Sequence, residues 1–238
     1  MSSGAADVIA TDRSTAPPWP AYRALVGLGL ACALLIVGVF IATLAPIAEN
    51  RAARLGAAVL EVLPGSATFR PIAFLDGSWQ AAGERTADAW AAFDDAGAFV
   101  GVALTGAGMG YADTIEVLYG YAPERQRIVG MRVLQTRETP GLGDKIMTHP
   151  SFLASVSDLD VRLDADGSSL RHPIVAVKEG TRTEAWQIDG ITGATISSVA
   201  VADLLQASAE RHLPSLHAQR QRIASLEAPE TPEGRESP

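Results

Sequence analysis

Cysteine is nearly absent: the 238-residue chain has one, Cys32. No intrachain disulfide can form, and the thiolate sets that hold iron–sulfur clusters or structural zinc are missing. Any redox chemistry must therefore use another carrier. Basic runs are missing as well. The formal net charge is −8, the pI is near 5.0, and Lys and Arg never gather into a cluster, which excludes nucleic acid as a partner. No HExxH motif occurs, and His149, His172, His212 and His217 have no metal-binding spacing, so each reads as a surface or helix-end residue. No G-x-G-x-x-G follows a strand and opens a helix. The nearest imitation, TGAGMG at Thr105–Gly110, precedes a strand and reads as a loop, so this chain is not expected to bind NAD.

Charge of either sign is absent from one long stretch, ALVGLGLACALLIVGVFIATLA, Ala24 to Ala45. Roughly 22 residues at ~1.5 Å rise give ~33 Å, the thickness of a hydrocarbon core, which predicts a spanning helix in a lipid bilayer. A cleaved signal would have a shorter apolar core, and the best cut, after Ala45, is followed by the unsuitable Pro46, so an uncleaved anchor is expected with Cys32 in lipid. Arg13 and Arg23 before the span balance Arg51 and Arg54 after it, and the positive-inside rule gives no orientation. Residues 1–23 form a short polar arm. Residues 227–238, EAPETPEGRESP, read as a disordered acidic tail. What remains, 47–226, is the working domain, and the 47% hydrophobic content of the chain suffices for a core.

That domain opens with a helix carrying Leu55, Val59 and Val62 at helical spacing, continuous with the span and stopped by Pro64. Strands follow by alternation: AWAAF, then Phe99–Thr105, Thr114–Tyr121 and Ile128–Gln135, joined by turns at Asp94–Gly97 and Ala122–Gln126. Consecutive hairpins predict an antiparallel sheet. A helical patch near Ile146–Val156, a strand pair at His172–Lys178 and Glu184–Ile188, and a helix from Ile196 to about His212 with Val201, Leu204 and Leu205 buried complete an α+β domain, its mainly antiparallel sheet flanked by helices. Asp158, Asp160, Asp164, Asp166 and Gly167 hint at a calcium loop, but EF-hand order and the closing Glu are missing, and DADG reads as a hairpin turn. Trp186 reads as a core residue.

Two segments carry chemistry. DGITGATISS, Asp189–Ser198, places Thr192, Thr195 and Ser197 around Gly193 and Ala194 directly before a helix. Such a segment is either an ordinary N-cap or a phosphate site, where free N–H groups and the positive end of the helix dipole meet an anion. TRETPGLGDK, residues 136–145, follows a strand, and its glycines make a loop able to lie against a flat ligand.

Together, ETPGLG at Glu138–Gly143, TGAT at Thr192–Thr195 after Asp189, and a single N-terminal anchor resemble the G subunit of the Rnf electron-transport complex and the related C subunit of the sodium-pumping NADH:quinone oxidoreductase. The resemblance implies FMN held covalently by a phosphoester to Thr195 and attached by a separate flavin transferase. Asp189, Thr192, Gly193 and Ala194 match the attachment motif, and Glu138, Thr139, Gly141, Leu142 and Gly143 match the loop near the flavin. It also implies a single-pass protein of the inner (cytoplasmic) membrane whose soluble domain is periplasmic. That protein would relay electrons among the other membrane subunits of an ion-translocating ferredoxin:NAD oxidoreductase, and would not be catalytic alone. Ser197 stands where the family more often has threonine. Two other classes fit the same residues: an FMN-binding respiratory or regulatory module outside an ion pump, and a non-catalytic anchored module in which TGAT is only a helix cap.

Overall fold

A computed structural model describes residues 19–83 and 86–226. Most of the N-terminal arm and the whole acidic tail, 227–238, lie outside the described residues. Helix α1, Trp19–Val62, passes from one compact unit, ending at Arg51, into a second that begins at Ala52. In the first unit it has the length and apolar composition to cross a membrane, and Leu25, Leu35 and Phe40 stand exposed along it. Pro46 lies inside the helix rather than ending it.

In the second unit the strands β1 (Thr68–Leu75), β2 (Ser78–Ala81), β3 (Ala89–Phe93), β4 (Phe99–Met109), β5 (Thr114–Ala122), β6 (Arg127–Gln135) and β7 (Leu159–Asp160) form one antiparallel sheet in the order β2-β1-β3-β4-β5-β6-β7. Alternation along the strands divides their side chains between two cores. Val102, Leu104, Ile115, Val117, Tyr119 and Tyr121 belong to the larger, which also holds Val201, Leu204 and Leu205. Ala103 and Leu118 join Ala58, Val59, Val62 and Leu63 in the smaller.

Glycine sets how closely the helices approach. A Cβ on Gly120 would lie 2.1 Å from the Val62 carbonyl oxygen, and one on its cross-strand partner Gly130 would lie 2.6 Å from the same atom. The end of α1 therefore rests directly on bare sheet backbone. On the other face Gly106 and Gly108 pass beneath Leu204. This corrects the loop expected at Thr105–Gly110: through Met109 the segment is strand β4, glycine-rich because a helix crosses it, and only Gly110 falls in the turn to β5.

A 3-10 turn, Gly143–Met147, and α2, Pro150–Val156, account for the expected helical patch. The expected late strand pair is β8, Val175–Val177, with β9, Gln187–Asp189, and it is parallel. Helix α3 runs Thr195–Ala218, beginning one residue before the expected start and continuing past His212 through Pro214; α4, Arg220–Ala224, follows. The Ser208 hydroxyl donates to the Thr105 carbonyl (3.1 Å) and pairs with the Tyr119 hydroxyl (2.8 Å), fixing α3 on the sheet. DADG is a turn, with Gly167 N–H donating to Asp164 O and Leu163 bridging Leu170. Trp186 is half-buried rather than core, and stacks on exposed His172 with ring centroids 5.4 Å apart.

Candidate functional site

The two motifs form two turns of the same kind. Leu142 N–H donates to Thr139 O (3.1 Å) across Pro140 and Gly141, and Gly141 has φ +76. Ala194 N–H donates to Ile191 O (2.9 Å) across Thr192 and Gly193, and Gly193 has φ +85. In each the third residue takes a positive φ that only glycine adopts cheaply, as in a type II turn. The turns are neighbours: a Cβ on Gly193 would lie 3.6 Å from Leu142 Cδ2. Gly141 is different, since a Cβ there would meet open space.

Glu138 joins these turns from below. It is 6% exposed, and its carboxylate accepts from Ala112 N–H (2.9 Å) and from the Ser197 hydroxyl in the first turn of α3. Glycine makes room for it on both sides. A Cβ on Gly110 would lie 2.5 Å from Glu138 Oε1, and one on Gly143 would be 2.4 Å from Oε2. Burial pushes the carboxyl pKa up, but hydrogen bonds from Ser197 and from the backbone N–H groups of Ala112, Asp113 and Tyr111 outweigh it and hold Glu138 below its ordinary value. Glu138 thus joins the base of the loop, with its carboxylate directed into the protein. Gly143 is required there by packing.

Asp189 is also inward. Its carboxylate accepts from Gly180 N–H (2.7 Å), and its own N–H donates to Ser155 Oγ (3.0 Å), so it secures the end of β9 before the turn. A Cβ on Gly190 would lie 2.5 Å from the Val177 carbonyl oxygen.

The hydroxyls between Thr192 and Ser198 have different environments. Ser197 donates to Glu138, and Ser198 donates to the Ala194 carbonyl (3.0 Å) while accepting from Ile191 N–H (3.1 Å). Thr192 lies against Glu179, its N–H donating to Oε2 (2.9 Å). Thr192's hydroxyl, then its N–H, hold that carboxyl below its ordinary value against some desolvation, with weaker help from His149 and Lys145. Thr195 is exposed, and its hydroxyl makes no hydrogen bond among the described residues. It is the first residue of α3, whose N-terminus has Ala194 at the cap position and no side-chain cap. Beside it opens a cleft of about 370 Å³ whose lining includes Lys178, Glu179, Thr192, Gly193, Thr195 and Val199. Leu142 and Ile196 are exposed in the neighbouring turn and helix.

The FMN-binding domain family matches residues 110–210, from the turn after β4 into α3. The chain is 31% identical over 153 residues to the G subunit of the ion-translocating oxidoreductase complex of Methanosarcina acetivorans, covering 64% of this chain and 72% of that protein. The chain belongs to this FMN-binding family of electron-transfer subunits. Its relatives include the corresponding G subunit of Pasteurella multocida, 39% identical over 111 residues, a match spanning 45% of this chain and 48% of that one. The crystal structure of Shewanella oneidensis NqrC shares the fold, with a TM-score of 0.53 at 21% identity, covering 74% of this chain and 98% of that chain.

The expected site residues thus fall into two groups. Thr139, Gly141, Leu142, Thr192, Gly193 and Thr195 lie at the surface of the paired turns, while Glu138, Gly143, Asp189 and Ala194 are buried beneath them. The sequence reading missed Lys178 and Glu179. They reach the cleft through the parallel β8–β9 pairing, which no local pattern announces.

Because Glu138 is held below its ordinary value, its contribution to stability is full above about pH 4.3, the unfolded-state value, and is lost as pH falls through the lower folded-state value. Glu138→Gln should lower stability at pH 7 by about 1–3 kcal/mol, the worth of charge-assisted hydrogen bonds. Tryptophan-monitored denaturation of the detergent-solubilised chain should show this gap narrowing on acidification below about pH 4.3. An equal gap at pH 7 and pH 3 would contradict the assignment.

Proposed function

We propose that this chain is a membrane-anchored electron-relay subunit holding FMN through a phosphoester to Thr195. The observation that carries the reading is the open Thr195 hydroxyl, at an uncapped helix N-terminus, beside a cleft. The N–H groups of the first turn of α3 and the positive end of its dipole suit a phosphate there. Gly193 keeps the backbone of the turn clear, and exposed Leu142, Ile196 and Val199 offer apolar surface for a flat ring.

When bound, FMN supplies one- and two-electron transfer, chemistry that belongs to the cofactor. The chain's own residues hold and orient it. Thr139, Pro140 and Gly141 fix the turn that carries Leu142, and Glu138 and Asp189 brace the two turns from inside. No side chain is needed as a general base, so the subunit is not catalytic alone. A covalent bond keeps the cofactor at high effective concentration in a dilute compartment.

The relatives named as G subunits support placing the chain in an Rnf-type ion-translocating complex, among other membrane subunits and matured by a flavin transferase. In this reading residues 24–45 cross the inner membrane, 1–23 are cytoplasmic, and 47–226 form the FMN domain on the periplasmic side, with 227–238 as its acidic tail. An impermeant thiol reagent should label a cysteine introduced at Ser237 in cells with a permeable outer membrane. Protection until the inner membrane is lysed would reverse the orientation.

Coexpressed with its transferase, the chain should yield a Thr195-containing peptide heavier by FMN less water. Thr195→Ala should lose that mass and stay folded, since the side chain is exposed and supports no contact in the core. Persistence of the mass in Thr195→Ala would refute the assignment.

A further inference from the structure

Four hydroxyls lie between Thr192 and Ser198, and two of them, on Thr192 and Thr195, belong to exposed residues. Taking Thr195 as the FMN acceptor leaves a question open: why a transferase acts there and not on Thr192, one turn earlier. The two residues differ in what their backbone meets. Thr192 is held against the Glu179 carboxylate, which receives its N–H at 2.9 Å. That carboxylate is anchored from its other side, where His149 Nε2 lies 3.2 Å from Oε1. The far ring nitrogen of His149, Nδ1, pairs with the Ser151 hydroxyl (3.2 Å). Thr195 instead heads α3, where unsatisfied N–H groups present positive partial charge.

We infer that Glu179 is a specificity-determining residue: it withholds the Thr192 hydroxyl from phosphoryl transfer and, by fixing the Thr192–Gly193 turn, leaves Thr195 as the acceptor. The inference rests on the reading of Thr195 as the attachment residue. In the transfer, the acceptor oxygen bonds to the phosphorus of a flavin phosphate carried in a phosphoanhydride, and the anhydride P–O bond breaks. The nucleotide phosphate leaves with the bonding pair, and the acceptor's proton passes to a base of the transferase. At Thr192 the incoming phosphate would face a carboxylate fixed on the residue's own N–H, which repels it. At Thr195 no hydrogen bond ties the residue to that carboxylate among the described residues, and the helix terminus attracts the phosphate.

The test maps FMN by fragmentation mass spectrometry on the full chain coexpressed with the transferase. In the wild type FMN should be confined to Thr195. In Glu179→Ala the ratio of Thr192 to Thr195 occupancy should rise about tenfold to a hundredfold, the range set by loss of a charge-assisted hydrogen bond. Glu179→Gln, which keeps an acceptor for the Thr192 N–H but removes the charge, should move the ratio in the same direction by less. Thr195→Ala should carry no FMN, whereas Thr195→Ala with Glu179→Ala should carry it on Thr192. Amide exchange on the flavin-free chain gives an independent readout: Glu179→Ala should speed exchange at Thr192 about tenfold while Leu204 and Leu205 in α3 stay protected. FMN confined to Thr195 in both Glu179 variants, with a flavin-free double variant, overturns the inference and leaves the attachment residue standing. A wild-type chain without FMN on Thr195 removes both.

Discussion

The arrangement of the site depends on a buried carboxylate with no cationic partner. Glu138 is almost closed to solvent, and among the described residues no Lys, Arg or His pairs with it. Such a charge survives only where hydrogen bonds replace the water it has lost. Here the Ser197 hydroxyl and the N–H groups of the turn after β4 supply them, and the positive end of α3 helps. Two distant stretches of chain are thereby held to one side chain. The requirement propagates outward: residues 110 and 143 must lack a Cβ, and residue 197 must be able to donate. The paired surface turns rest on this internal fixture.

The sheet is built for close helix approach on both faces. Gly120 and Gly130 seat the end of α1, and Gly106 and Gly108 let α3 lie across β4. In such a scaffold the segment that begins α3 has little freedom, and a group attached there would be held at a fixed height above the sheet. That suits a relay, in which rate depends on distance and the cofactor must not wander. Glycine at the surface has another purpose: at Gly141 and Gly193 it supplies a positive φ, with open space where a side chain would stand at Gly141 and Leu142 at contact distance at Gly193.

Much of this was legible in the sequence, unevenly. The central strands and the buried stripe of α3 followed from alternation and helical spacing, and both motifs proved to be adjacent turns. Strand β1 was missed because Pro71 argues against a strand; it is tolerated because β2 begins pairing only at Ile72, and Pro71 joins that side through its carbonyl alone, which accepts from Ala82 N–H (3.0 Å). The continuation of β4 through TGAGM was misread because glycine normally ends a strand, and only the helix above it explains the exception. Glu138 could be placed in the loop by its motif but not aimed, since its partners, Ala112 and Ser197, are 26 and 59 residues away. Glu179 was invisible for the same reason: its contact with Thr192 depends on a parallel strand pair formed across a long connection.

In the proposed function FMN is held by one bond, between the Thr195 oxygen and phosphorus. Phosphorus–proton correlation on the purified, matured chain tests it most directly. A phosphodiester has no ionisation near neutrality, whereas a phosphomonoester titrates at about pH 6. The proposed phosphoester should give a single ³¹P resonance that does not move between about pH 5 and 8 and that couples both to the ribityl methylene of the flavin and to the Hβ of Thr195. A resonance that titrates like a monoester, or one coupled to the ribityl methylene alone, would contradict it.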